Sequence, residues 1–339
     1  MENVTIRMLA ERLQLSTATI SKALSNSHEI SEETKQRVLA LAAELNYVPN
    51  PYASSLRKKS SHTIAVVIPE VADSFFAEAI NGIESVAQEK GYHVLIYLTH
   101  ESFGKEQAIL KDFQSGRVDG VLISVTTETA AAAHGLAQLV KEIPVVFFDR
   151  VCEEVTAARI TTDDANAAYN ATAHLIAGGC RTIGLLSASR HLSISNRRAE
   201  GFRQALASHQ LPLTDASILY CSNDPAETRQ LLKTALQHNH YDGLIATTEK
   251  LATAVYLACE ELSLAIPGDI QVIGFSNLST ARFLQPSLTT VSQPAFDMGH
   301  AAATVLFKAL KSSSFPLQEQ QQVIPSSLII RNSTKAPAR

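Results

Sequence analysis

The sequence predicts an α/β body of two doubly wound parallel-sheet lobes behind an N-terminal all-α head. Three observations carry this. The first 60 residues show helical periodicity and no strand candidate. From Thr63 onward short β-branched runs alternate with longer helical stretches, the pattern of parallel sheets covered on both faces. The strands are too numerous for one comfortable sheet, and 339 residues leave room for two lobes of roughly 120–140 residues each.

In the head, Ile6, Leu9, Ala10 and Leu13 share one face of a first helix. Gln14-Leu15 forms a turn, and Ser16 caps a second helix in which Ile20 and Leu24 point inward. Ser31 caps a third, with Glu32 and Glu33 in the first turn, where the helix dipole favours them. Val38, Leu41, Ala42 and Leu45 form its apolar stripe. Two short helices joined by a tight turn are the sequence form of a helix-turn-helix. In the body, strands are expected at 64–68, 94–98, 121–124, 145–148, 182–186, 244–246 and 270–275, and helices at 75–89, 105–115, 165–177 and 197–208. A second βαβ series starts near Thr161. No fixed-period repeat occurs, and the small polar tail 333–339 is expected to fray.

Hydrophobic residues make up 45% and charged residues 18% of the chain, a globular composition. Apolar runs such as 65–68 and 145–148 are too short to cross a bilayer. Met1-Glu2-Asn3 lacks the basic and apolar regions of a secretory signal. A cytoplasmic protein with no membrane partner is expected. Cys152, Cys180, Cys221 and Cys259 are scattered without a C-x-x-C pair, which fits a reducing compartment. The net charge of −4 is uneven: residues 1–60 hold 8 Lys+Arg against 6 Asp+Glu, and the remainder 21 against 27. A slightly basic head on an acidic body suits a local contact with nucleic acid.

The second helix turns Thr17, Ala18, Thr19, Ser21 and Lys22 outward. Such a face can enter a major groove, bond phosphates through hydroxyls and read guanine through lysine. The same pattern also fits the solvated face of an ordinary three-helix bundle. Asn50-Pro51 reads as the cap and first position of a short helix within 51–60, marginal without a partner to fold on. Leu56, flanked by Ser54, Ser55, Arg57 and Lys58, has the make-up of a minor-groove wedge; a basic linker with a chance leucine is the alternative.

The head contains STATISKALSN at 16–26, ISEETKQRVLALAAELNYVPN at 30–50 and Ser55-Leu56. The body contains FFAEAINGIE at 75–84, VDGVLIS at 118–124, IPVVFFDR at 143–150, RAEGFRQAL at 198–206, IPGDIQVIGFSN at 266–277 and PSLTTVSQPAFDMG at 286–299. In their order and spacing the chain resembles the lactose-repressor (LacI/GalR) family of bacterial transcription factors over nearly its whole length. The resemblance implies a regulator, expected to repress, that binds a pseudo-palindromic operator in double-stranded DNA as a homodimer or a tetramer. It implies control by a carbohydrate-like small-molecule effector, with no cofactor and no metal. It implies a head at 1–50, a hinge at 51–60 and a periplasmic-binding-protein-like effector-binding and dimerisation domain at 61–332. Lobe 1 is then 61–160 plus 291–321 and lobe 2 is 161–290 plus 322–332, with crossings near Thr161, Thr290 and Gln322. The DNA-binding residues it implies are Thr5, Ser16, Thr17, Ala18, Thr19, Ser21, Lys22, Asn26, Asn50, Tyr52, Ser55 and Leu56.

Several positions depart from the family pattern: Met8-Leu9 for an Asp-Val pair, Gln14 for glycine, Lys22 and Ser54 for arginines, Cys180 for a histidine. Those in the head and hinge argue for a different operator, since lysine gives a single-point guanine contact where arginine gives a bidentate one. Ser276-Asn277 stands where an acidic residue holds ligand hydroxyls, which argues against an ordinary free sugar.

A hydroxyl-rich ligand needs planar donors, carboxylate acceptors and an aromatic face. Arg198 offers a donor fork, Asp149 ends an apolar strand where parallel sheets place polar groups, and Phe75 and Phe76 follow the first strand and can stack on a ring. By resemblance these line the cleft with Asn223, Ser276 and Gln293. Other readings stay open: Arg198 as a partner of Glu200 or Glu227, Asp149 as a cap or a partner of Arg150, Phe75 as plain core.

No G-x-G-x-x-G, P-loop, H-E-x-x-H or G-x-S-x-G motif occurs, and no nucleophile–base pair suggests itself, so no enzyme is expected. Ser55 and Lys58 match S-x-x-K by chance in a charged segment. His238-Asn239-His240 reads as a solvated loop, not a metal site. A solute-binding protein of a transporter would share the body but carry a signal peptide and no head.

Overall fold

The computed structural model describes residues 4–47, 60–129, 133–312 and 314–336. The chain divides into two compact units, Met1–Ser61 and His62–Arg339.

Among its described residues the head holds three helices, α1 (Ile6–Leu13), α2 (Thr17–Leu24) and α3 (Glu32–Glu44). Each begins at a hydroxyl cap: Thr5, Ser16 and Ser31 accept from Met8 N, Thr19 N and Thr34 N. Leu9, Ile20 and Val38 are wholly buried and meet Ala10, Ala23 and Ala42, whose small side chains let the short helices approach. Leu24 is only partly buried; Ala23 takes the inner place instead. Gln14 ends α1 at φ 53°, a left-handed conformation, and Leu15 N donates back to Ala10 O at 3.0 Å.

The body begins β1 (Thr63–Ile68), α4 (Ser74–Glu89), β2 (His93–Leu98), α5 (Phe103–Phe113), β3 (Gly120–Ile123), α6 (His134–Glu142), β4 (Val145–Phe148) and β5 (Ala158–Thr162). It continues α7 (Asp164–Ala177), β6 (Ile183–Ser187), α8 (Ser193–Ser208), β7 (Ile218–Tyr220), α9 (Pro225–Asn239), β8 (Gly243–Ala246), α10 (Glu249–Glu261), β9 (Gln271–Phe275) and β10 (Thr289–Ser292). The last elements are α11 (Ala295–Lys311), β11 (Gln321–Ile324) and β12 (Ser327–Ile329).

Two six-stranded sheets result, ordered β11-β5-β4-β3-β1-β2 and β12-β10-β9-β8-β6-β7. Both grow outward in two directions from an internal strand, as doubly wound sheets do. Among the described residues every pairing is parallel except β10 with β12, an antiparallel edge that the all-parallel expectation missed. In β1, Ile64, Val66 and Ile68 face α4 and α11, while Ala65 and Val67 face α5 and α6. This is why the strand reads as a continuous apolar run. The second sheet divides likewise, with Leu244 and Val272 in the core against α9 and α10 and Leu185 and Ile245 in the core against α7 and α8.

The lobe limits differ from expectation by a few residues. Thr161 and Thr162 belong to β5 in the first sheet, β10 lies wholly in the second, and all of β11 lies in the first. The chain therefore crosses after Thr162, Ser292 and Ile324. Two crossings are tied together where Ser326 N donates to Asp163 Oδ1 at 2.7 Å. The expected fraying of the tail is also wrong for its first part. Ser333 is fully buried; its hydroxyl donates to Val272 O at 2.6 Å and accepts from Thr289 N at 2.8 Å. Thr334 bonds His174 Nε2 at 2.9 Å. These small polar residues complete the hydrogen bonding where the interior strands β9 and β10 begin, a role composition does not reveal. Among the described residues no helix is long and apolar enough to cross a membrane.

Candidate functional site

Thr5, Ser16, Thr17, Ala18 and Asn26 are exposed on the head, and Thr19, Ser21 and Lys22 are half-buried. Two of the nominated hydroxyls already serve as helix caps, and Ser16 Oγ also shares a 2.8 Å hydrogen bond with Thr19 Oγ1. Lys22 Nζ forms an ion pair with Glu29, a residue the sequence reading did not single out. Asn50, Tyr52, Ser55 and Leu56, with the expected hinge, lie outside the described residues.

In the body, six of the seven nominated effector residues line one small chamber between the lobes, of about 50 Å³: Phe75, Phe76, Asp149, Arg198, Ser276 and Gln293. Asn223 does not. It lines a larger adjoining space of about 710 Å³, which shares Asp73, Phe76 and Arg150 with the inner chamber. Asn223 lies in the loop after β7, between Ser222 and the Asp224 cap of α9.

Arg198 sits on α8, drawn against α7 at Gly201, where a Cβ would lie 1.8 Å from Ala165 O. That approach places Arg198 Nε 2.8 Å from Asp164 Oδ1, and Nη1 donates to Thr247 O at 2.5 Å. The guanidinium lies 4.1 Å from the Phe275 ring centroid. The partner is thus Asp164, not Glu200 or Glu227. Arg198 Nη2 and Thr247 Oγ1, both buried, find no protein hydrogen-bond partner among the described residues. A buried donor left without a partner costs stability unless a ligand or water meets it.

Asp149 follows β4 with φ 62° and is nearly buried. Ser124 Oγ and Gln293 Nε2 approach its two oxygens at 3.4 Å each. Burial pushes its carboxyl up to about 6, against the opposing pull of Arg150 and Arg198. Arg150 turns its Nη1 to Glu101 at 2.6 Å and keeps Nε 3.9 Å from Asp149. Phe75 and Phe76 meet edge to face at 5.2 Å and belong to the first lobe's core as well as to the chamber wall, so both readings of Phe75 hold.

Sequence reasoning missed Asp73, Thr247 and Glu249 on the chamber wall, weighed Arg150 there only as a partner of Asp149, and noted Asn277 only beside Ser276 as a departure from the family pattern. Asp73 caps α4 by accepting from Phe75 N at 3.0 Å, and Glu249 opens α10 behind the Thr248 cap. Both occupy strand-to-helix turns at the carboxyl ends of parallel strands, a signal that was available. Burial, then the nearby Glu249 carboxylate, raises the Asp73 carboxyl above its ordinary range.

The profile of bacterial regulatory proteins of the lacI family matches residues 5–50, and that of the periplasmic binding protein-like domain matches 172–334. Over 332 residues the chain is 31% identical to the ribose operon repressor of Halalkalibacterium halodurans, covering 98% of this chain and 97% of that one. The chain belongs to the lacI family of bacterial regulatory proteins. Its fold matches a crystal structure of the lac repressor dimer bound to operator and an anti-inducer, with a TM-score of 0.84 and 22% identity, over 99% and 100% of the two chains. It also matches a LacI family transcriptional regulator from Enterococcus faecium with bound ribose, with a TM-score of 0.70 and 25% identity, over 82% and 100%. This lacI-family chain is a DNA-binding transcriptional regulator whose head carries the helix-turn-helix and whose body is periplasmic-binding-protein-like.

Proposed function

We propose that this lacI-family protein represses transcription in the cytoplasm as a homodimer on a pseudo-palindromic operator, and that a small hydroxylated, carbohydrate-like effector between the lobes changes its affinity for DNA. The head at 1–50 reads DNA through Thr17, Ala18, Ser21 and Lys22, and the segment 51–60 links it to the body. One observation favours the effector reading above others: the inner chamber holds a buried donor, Arg198 Nη2, and a buried hydroxyl, Thr247 Oγ1, with no protein partner. Carboxylates at Asp149 and Asp73 supply acceptors for ligand hydroxyls, and Phe75 and Phe76 supply an apolar ring face. Ribose and its phosphorylated derivatives are the first effectors to try, since the repressor of Halalkalibacterium halodurans is named for a ribose operon and Ser276-Asn277 puts no carboxylate where an unmodified sugar would want one.

The test uses the full chain. Duplexes are selected from a random pool, and binding to the selected duplex is then titrated with ribose, its phosphorylated derivatives and a panel of other monosaccharides and disaccharides. A pseudo-palindromic motif is expected, with at least one sugar shifting the affinity tenfold or more. Arg198→Lys should abolish that shift while leaving sugar-free DNA binding in place. Selection without a motif would sink the operator reading; a motif that no small carbohydrate modulates would sink the effector class.

A further inference from the structure

The loop between α2 and α3 brings an acid onto the reading helix. Asn26 takes φ 52°, and Ser27 N closes back on Lys22 O at 3.0 Å. Glu29 N then donates to Ser27 Oγ at 3.3 Å. Two successive turns thus deliver Glu29 beside Lys22, seven positions earlier, and its Oε2 accepts from Lys22 Nζ. Lys22 in turn holds the Glu29 carboxyl below its usual range through that hydrogen bond and its charge. Both side chains remain about half exposed, at 41% and 53%.

We infer that Glu29 is a specificity-determining residue of the head, which suppresses sequence-independent DNA binding by holding Lys22. The inference rests on the proposal that Lys22 faces DNA. The argument is electrostatic. A lysine that leaves Glu29 for a phosphate brings a full negative charge next to the Glu29 carboxylate. A lysine that contacts guanine meets neutral acceptors, O6 and N7, and can keep one of its three N–H groups on Glu29. The cytosine amino group beside guanine O6 is a donor, so it does not repel the carboxylate. The pair therefore penalises phosphate contacts more than base contacts. It also restrains a flexible side chain before DNA arrives, which lowers the ordering cost of a specific contact.

The experiment measures the affinity of the full chain for its selected duplex and for a random duplex of equal length, across a range of salt concentrations. Four proteins are compared with the parent: Glu29→Gln, Lys22→Ala, the double variant, and Glu32→Gln. Glu32 pairs with Lys35 at 2.6 Å on the same unit, so its variant is a control for loss of one negative charge. Glu29→Gln should tighten binding to random duplex about five- to tenfold and binding to the selected duplex by no more than twofold. Its log–log salt slope on random duplex should steepen by about 0.9, the value of one added phosphate contact. In the Lys22→Ala background the same change should leave the specificity ratio within twofold. An unchanged ratio in Glu29→Gln would overturn the proposal. So would an equal fall in Glu32→Gln, or a fall that persists without Lys22, since each would reduce Glu29 to a general charge. If Lys22→Ala selects the parent's motif, the role of Lys22 itself fails, and the proposal with it.

Discussion

Ser74 and Glu249 join the two lobes across the cleft: the Ser74 backbone N–H donates to Glu249 Oε1 at 2.9 Å, and the Ser74 hydroxyl donates to Oε2. The two residues open α4 and α10, so one carboxylate lies at the N-terminal ends of two helices, where both dipoles favour negative charge. Asn277 Nδ2 adds a second tie to Glu78 at 2.8 Å. Glu249→Ala should therefore loosen lobe closure without unfolding either lobe. A hydrogen bond to a charged group contributes about 1.5–3 kcal/mol. Exchange of the Ser74 amide should accelerate at least tenfold, with little change at β3 and β8. Unaltered exchange at Ser74 would mean that closure does not depend on this contact.

Asp149 gives a pH prediction. Its folded carboxyl is raised to about 6 from an ordinary 3.8. The folded state then binds more protons than the unfolded one between these values. The contribution of this group to stability is most favourable at acid pH and is lost as pH rises through about 6. Asp149→Asn removes the ionisation and should stabilise the ligand-free protein by about 3 kcal/mol at pH 7.5, since a shift of this size is worth ~1.4 kcal/mol per unit. Asparagine also tolerates the positive φ. Urea titrations at pH 7.5 and pH 4 check this: the gap between the proteins should close at the lower pH.

Gly201 holds Arg198 in place through a close helix crossing. Gly201→Ala must push α8 away from α7, at a cost of about 3 kcal/mol. It should also separate Arg198 from Asp164, leaving two buried charges poorly paired. A drop in the thermal midpoint, with loss of effector response in whatever protein stays folded, is expected. Retention of both would mean that the helices can slide apart without moving the guanidinium.

Gln14 occupies a left-handed position that costs an L-residue with a side chain roughly 1–2 kcal/mol, partly offset by the entropy glycine would lose. Gln14→Gly should stabilise the head by about 0.5–1 kcal/mol, while Gln14→Val, with a branched Cβ at positive φ, should destabilise it. Hydrogen exchange at Leu9 and Ala10 in the full chain distinguishes the two variants; equal rates would contradict the conformational account.

The sequence was most legible where burial is two-sided. The runs in β1, β3, β4, β8 and β9 are apolar on both faces and were found within a residue or so of their bounds. The missed strands β5, β7, β10, β11 and β12 are short or polar, as in ARITT, TTVS and QQVI, and take their strand form from neighbours far along the chain. The same divide runs through the site. Asp149 was visible as the polar residue closing an apolar strand. Glu249 was not, because its meaning comes from Ser74, 175 positions away. Asp164 was overlooked as the partner of Arg198 in favour of closer acids on α8 and α9, for local spacing does not reveal which helices cross at a glycine.

The late return of the chain to both lobes has a consequence for synthesis. The first sheet lacks its edge until Ile324 has been made, and the second lacks β12 and the Ser333 bonds until about ten residues later. The core of the head, by contrast, is complete by Tyr47. At about 5–20 residues per second, residues 48–335 occupy the ribosome for roughly 15–60 s. Throughout that interval a nascent chain carries a folded head and two unfinished lobes, so the reading unit is complete well before the body that pairs and regulates it.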